Sequence, residues 1–217
     1  MFYAIVFAAM GLASAVTAPA PVASCGSFVS KVDAASLDLA PPTGFVEICG
    51  QDAELCRVLT AGYPPTAKTL GYFVTSEEWM RFKKQPIGFT RYLIAQLATS
   101  MAPEDLAGLK EHIRSQQANI PDHTELPAIV ESQGRAPIAI FEDADDAIAF
   151  GAVMKLRTKP PSPPKDATLA STNAALVMKG RVMSLYAFID VTESKDVDAV
   201  KNLTRNWLQC LRAANRQ

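Results

Sequence analysis

The sequence predicts an α/β (α+β) domain in which an antiparallel sheet is packed by helices, the longest of them at the C-terminus. Three observations carry that prediction. Residues 168–178 and 181–190 are β-like runs flanking Lys179-Gly180, a short turn of the kind that joins antiparallel strands. After about Glu193, Val197, Val200, Leu203, Trp207, Cys210 and Leu211 recur at helical spacing and form one apolar stripe. The chain is also 49% apolar and 20% charged, enough apolar content to bury a core and too little charge for disorder.

The elements follow in order. Pro41-Pro42-Thr43-Gly44 is a turn, and Phe45–Cys49 after it reads as a strand. Residues 52–60 read as a short helix with Asp52 at its N-cap. Gly62-Tyr63-Pro64-Pro65 ends it, because proline cannot continue a helix. Residues 69–75 (TLGYFVT) carry aromatic and β-branched side chains as strands do, and Thr75-x-x-Glu78 is a capping-box pattern that turns the chain into a helix over 77–84. The run 89–98 is β-like, with a helix as the alternative.

Pro103 begins a helix whose Leu106, Leu109 and Ile113 give a period of three to four residues to about Gln117. Residues 119–127 hold two prolines and predict a surface loop or a short turn. Residues 137–141 and 147–156 read as strands separated by an acidic, solvated hairpin loop at 142–146. The connection 159–166 (KPPSPPKD) is proline-rich and stiff. In 181–190 both alternating faces are largely apolar, so that strand is expected at the centre of the sheet, covered on both sides.

This succession is an early Pro-x-Gly before an apolar strand, then helices and short strands, then a strand hairpin closed by a long helix. With Asn173–Phe188 leading to the helix of Trp207, it resembles the PsbP/Mog1-like arrangement of small exported bacterial proteins over roughly 37–212. The resemblance is one of layout. Such folds host lipid, partner and photosystem-assembly roles alike, so the resemblance implies a single domain without fixing its function, and it transfers no catalytic residue.

Residues Phe2–Leu12 are uncharged and apolar and precede Ala13-Ser14-Ala15, which has the form read by signal peptidase. The expected organisation is a signal peptide at 1–15, with cleavage as late as 24, a spacer at 16–36 and one globular domain at 37–217. The apolar run is shorter than the ~20 residues of a bilayer-spanning helix, so no transmembrane span is expected in the mature protein. The expected location is periplasmic or secreted. Val22-Ala23-Ser24-Cys25 offers the alternative of lipid anchoring through Cys25.

Four cysteines in an exported chain read as up to two disulfides. Proximity favours Cys49–Cys56, which leaves Cys25–Cys210 to tie the two ends together. Buried free thiols are the alternative.

A net charge of −1 removes the electrostatic basis for binding nucleic acid. No P-loop, dinucleotide fingerprint, HExxH or GxSxG is present, and no cofactor or metal is expected. The function expected is a non-enzymatic module for a protein partner or an apolar small molecule, with Tyr63, Tyr72 and Trp79 as rim residues of an apolar groove. The alternative is a hydrolase-type enzyme using His123 with Asp122 or Glu125.

Overall fold

A computed structural model describes residues 24–32, 35–64, 66–117, 120, 126–157 and 166–216. Its centre is a seven-stranded antiparallel sheet. The strands, in chain order, are β3 (Phe45–Glu47), β4 (Ala67–Thr75), β5 (Arg91–Ala98), β6 (Arg135–Ala144), β7 (Ala147–Arg157), β8 (Asp166–Met178) and β9 (Arg181–Asp190), arranged β3-β4-β5-β9-β8-β7-β6. Two short strands, β1 (Val29–Val32) and β2 (Ala35–Asp38), form a separate hairpin.

The helices are α1 (Ala53–Thr60), α2 (Ser76–Lys84), α3 (Asp105–Gln116), α4 (Leu126–Gln133) and α5 (Lys195–Asn215). β9 is the middle strand, as its doubly apolar pattern predicts. No described helix is long and apolar enough to cross a membrane.

Local chemistry explains the element ends. Asp52 caps α1 by accepting from Leu55 N at 2.9 Å. Thr75 caps α2 by accepting from Glu78 N at 3.3 Å, while the buried Glu78 carboxylate accepts from Thr90 N and Oγ1 and so ties α2 to the approach to β5. Asp196 accepts from Thr192 N and Glu193 N ahead of the first turn of α5, where a carboxylate also suits the helix dipole.

The main core lies between the sheet and α5. Phe73, Leu93, Leu185, Val200, Trp207 and Leu208 belong to it, each essentially inaccessible to water. The opposite face carries two smaller clusters. α1 and α2 cover Ile48, Tyr72, Val74 and Ile94 at the β3 side, and α3 covers Ile148 and Ala175 towards β6.

The N-terminal segment is docked on α5. Trp207 Nε1 donates to Leu39 O at 2.8 Å, Asn215 Nδ2 donates to Asp38 O at 2.7 Å, and Asp38 N donates back to Asn215 Oδ1 at 3.1 Å. Cys25 is joined to Cys210, 185 residues away in sequence, and Cys49 to Cys56.

Four sequence expectations differ from this picture. Val29–Val32 and Ala35–Asp38 pair as a hairpin where a spacer running to 36 was expected, and β2 draws its support from distant α5 through Asp38 and Asn215. Helix α4 begins at Leu126, inside the stretch expected to be a loop; Pro127 sits in its first turn, where a missing N–H costs nothing.

The acidic segment 142–146 is not a solvated loop, since β6 continues to Ala144 and only Asp145-Asp146 turn. Successive side chains of a strand point to opposite faces. Glu142 and the turn residue Asp146 therefore meet Arg212 of α5 at 3.0 and 2.7 Å, while Asp143 meets Lys110 and Arg114 of α3 at 2.9 and 2.8 Å. The hairpin is clamped by cations from both faces of the sheet.

The fourth difference is the cover over β9. Its Met183, Leu185, Ala187 and Ile189 face lies buried in the α5 core, but Tyr186 and Phe188 on the other face are only half-buried.

The clamp has a pH signature. Hydrogen bonds from Lys110 and Arg114 hold the Asp143 carboxyl below the ordinary carboxylate range, and the bond from Arg212 does the same for Asp146 against the opposing effect of burial. With both folded-state pKa values below those of the unfolded chain, the unfolded state binds more protons in acid. The stability from these groups is complete above the unfolded pKa and is lost as pH falls through the folded values. Arg212→Ala should cost about 1–2 kcal/mol at pH 7 after screening is allowed for. It should also flatten the decline as pH falls below the unfolded carboxylate value of about 4, as read from urea midpoints; an unchanged acid slope would remove the clamp from the account.

Candidate ligand-binding groove

Strand register shows why the face opposite α5 contains a depression. In one cross-strand row Pro137, Ala152, Ser171 and Phe188 lie side by side on β6, β7, β8 and β9. In the next row Phe150, Asn173 and Tyr186 are neighbours. The first row is built of small side chains until it reaches Phe188. Proline is accepted there because β6 is an edge strand and one of its ladder donors can be spared. Helix α3 ends at Gln116, short of this row, and Gln117 is fixed beside it by accepting from Ile140 N at 2.7 Å.

The result is a trough of ≈ 450 Å³ with Phe150 on one side, Tyr186 and Phe188 on the other, and Gln116 and Gln117 at the α3 end. That volume is within the range of small-molecule sites, as is the mixture of aromatic surface with a few polar groups. Ser171 Oγ donates weakly to Ala152 O at 3.3 Å, which leaves its oxygen free to accept from an occupant.

The aromatic side of the trough continues as a ladder beneath α1 and α2. Phe188 stacks on Tyr92 with ring centroids 4.5 Å apart, and Tyr92 stacks on Tyr72 at 5.5 Å. Burial pushes the Tyr92 phenol up to about 12 and raises Tyr72 and Tyr63 as well. These phenols are uncharged at physiological pH, so the ladder brings no negative charge to the trough.

The three residues expected to rim a groove are placed together in this second cluster. Tyr72 is 4% exposed and Trp79 is 6% exposed, with Trp79 Nε1 donating to Gln51 Oε1 at 2.9 Å and its ring stacked on Phe82 at 5.7 Å. Tyr63 is half-buried against the same cluster. Tyr72 forms the base of the ladder, with Trp79 and Tyr63 packed in the same cluster, whereas the open surface is at its far end, on Tyr186, Phe188 and Phe150. Sequence reasoning missed those three and the small residues between them. The available signal was the Tyr186-x-Phe188 alternation, read there as a face fully covered.

His123, Asp122 and Glu125 lie outside the described residues, as do residues 1–23. His112 is exposed, its Nε2 2.9 Å from Gln116 Nε2. No group of three or more His, Cys, Asp or Glu side chains is placed to hold a metal ion among the described residues. The Thr of the Asn202-Leu203-Thr204 sequon is buried, its hydroxyl 2.6 Å from that of Thr172.

No family model matches the chain, and no curated protein matches it. Among solved structures it is similar to the Saccharomyces cerevisiae Ran-binding protein Mog1p. The likeness covers 88% of this chain and 93% of that chain, at 12% sequence identity and a TM-score of 0.39. Ran binding is a property of the yeast protein.

Proposed function

We propose that this is an exported binding protein, without catalytic activity, that holds a small apolar molecule in the trough across β7, β8 and β9. The observation that carries the reading is the row of small side chains Pro137, Ala152 and Ser171 leading up to Phe188, beside the row of Phe150 and Tyr186, which leaves apolar surface uncovered at the middle of the sheet. Its concavity favours a small ligand over a protein partner, since partner surfaces are broad and nearly flat. Two disulfides support a life in an oxidising compartment. In this reading residues 1–15 are a cleaved signal, and the mature working unit includes the Cys25 segment and the β1–β2 hairpin. The Cys25–Cys210 bond supports a soluble periplasmic or secreted module over one anchored by lipid through Cys25.

The test uses the uncharged fluorophore N-phenyl-1-naphthylamine. Wild-type protein should enhance its emission saturably. Ser171→Trp should abolish the enhancement by filling the floor, with a thermal midpoint close to wild type. Undiminished enhancement in a folded Ser171→Trp variant would overturn the site, and no enhancement with wild type would overturn the reading.

A further inference from the structure

We propose that the occupant of the trough is a small aromatic monocarboxylate, its ring against Tyr186 and Phe188 and its carboxylate on Arg135. This rests on the binding reading above and adds the chemical class of the ligand.

The first argument is charge. Among the described residues that line the trough, Arg135 is the one charged side chain, and no carboxylate is among them. Arg135 opens β6 two residues before Pro137, so the strand's period of two puts both on the trough face. Arg135 is exposed and makes no ion pair among the described residues, whereas neighbouring Arg114 and Lys155 are engaged by Asp143 and Glu131. A guanidinium is a planar fork of donors whose geometry matches a carboxylate in bidentate fashion.

Shape supplies the second argument. The trough is open along its length, with flat rings for one wall, so a planar ring would lose most of its water-exposed area there while a long acyl chain would not. Stacked and edge-on ring contacts add to what area burial alone supplies. Gln116, Gln117 and Asn173 also line the trough and add amide donors and acceptors to it. They suit a ligand with a polar end and leave room for a ring hydroxyl or amino group.

The experiment displaces bound N-phenyl-1-naphthylamine with 1-naphthoate or with the neutral 1-naphthalenemethanol, on wild-type protein and on Arg135→Gln. Wild type should prefer the naphthoate, and Arg135→Gln should weaken naphthoate by about five- to tenfold, the range of a partly exposed charge-assisted pair, while leaving the alcohol unchanged. The naphthoate preference should also shrink as salt is raised, because an exposed ion pair is screened. Equal displacement by acid and alcohol, or an Arg135→Gln variant with the acid preference intact, overturns the carboxylate assignment and leaves the apolar binding site standing. Failure of the fluorophore itself to bind wild type overturns both.

Discussion

Cys25→Ala should lower the free energy of unfolding by about 4–5 kcal/mol, the largest loss expected from a single substitution outside the core. The bond it removes closes a loop of 185 residues in sequence separation, nearly the whole described chain, and loop-closure entropy grows with loop length. Cys210, left behind as a buried thiol on α5, packs as a small apolar group and adds little to the loss. The segment it held should not detach in the native state, because Trp207 and Asn215 still bond to Leu39 and Asp38. Urea unfolding monitored by tryptophan fluorescence gives the number. A loss below about 1 kcal/mol would mean that the unfolded chain is already compact enough to keep its ends together.

Trp207→Ala should cost at least about 3–5 kcal/mol, the range for deleting a large aromatic from a packed core. Trp207 is fully buried on α5, edge-on to Phe73 at 6.0 Å, and Phe73 is in turn edge-on to Phe28 at 5.6 Å. The one side chain therefore joins the helix, the sheet and the N-terminal segment. Its loss also leaves Leu39 O without its indole donor, which adds about 1–3 kcal/mol if no water reaches the carbonyl. Trp207→Phe separates the two effects, since it keeps most of the apolar volume and loses only the hydrogen bond. Calorimetry of both variants should place Phe well above Ala in midpoint. Equal midpoints would show that the hydrogen bond, and not the packed volume, holds the N-terminal segment.

Much of the fold was legible because its signals are local. Lys179-Gly180, the Thr75-x-x-Glu78 cap and the α5 stripe each declare an element within a few residues. β9 was recognisable as central because apolar residues on both of its faces leave it nowhere else to go. The β1–β2 hairpin was not legible for the opposite reason: its strands are four residues each, and what holds them is Trp207, Cys210 and Asn215, far off in sequence. The acidic stretch at 142–146 misled because the cations that neutralise it arrive from α3 and α5, and nothing within the stretch announces them.

The candidate site was legible only in part. Aromatic density around Tyr63, Tyr72 and Trp79 lies on the same face of the sheet as the trough, but at its covered end. The trough itself depends on Pro137, Ala152 and Ser171, each unremarkable in its own strand, being brought into one row by register. It also depends on α3 stopping at Gln116. Which part of a sheet a helix fails to reach is a tertiary fact that residue periodicity does not encode.

The central claim is that the working surface of this protein is the uncovered middle of its sheet. The most direct measurement is a two-dimensional amide NMR titration of the folded, oxidised protein with 1-naphthoate. The account predicts saturable shifts concentrated on Arg135, Phe150, Ser171, Asn173, Tyr186 and Phe188, with α1 and the β1–β2 hairpin unmoved. Saturable shifts centred elsewhere, or none at millimolar ligand, would contradict it.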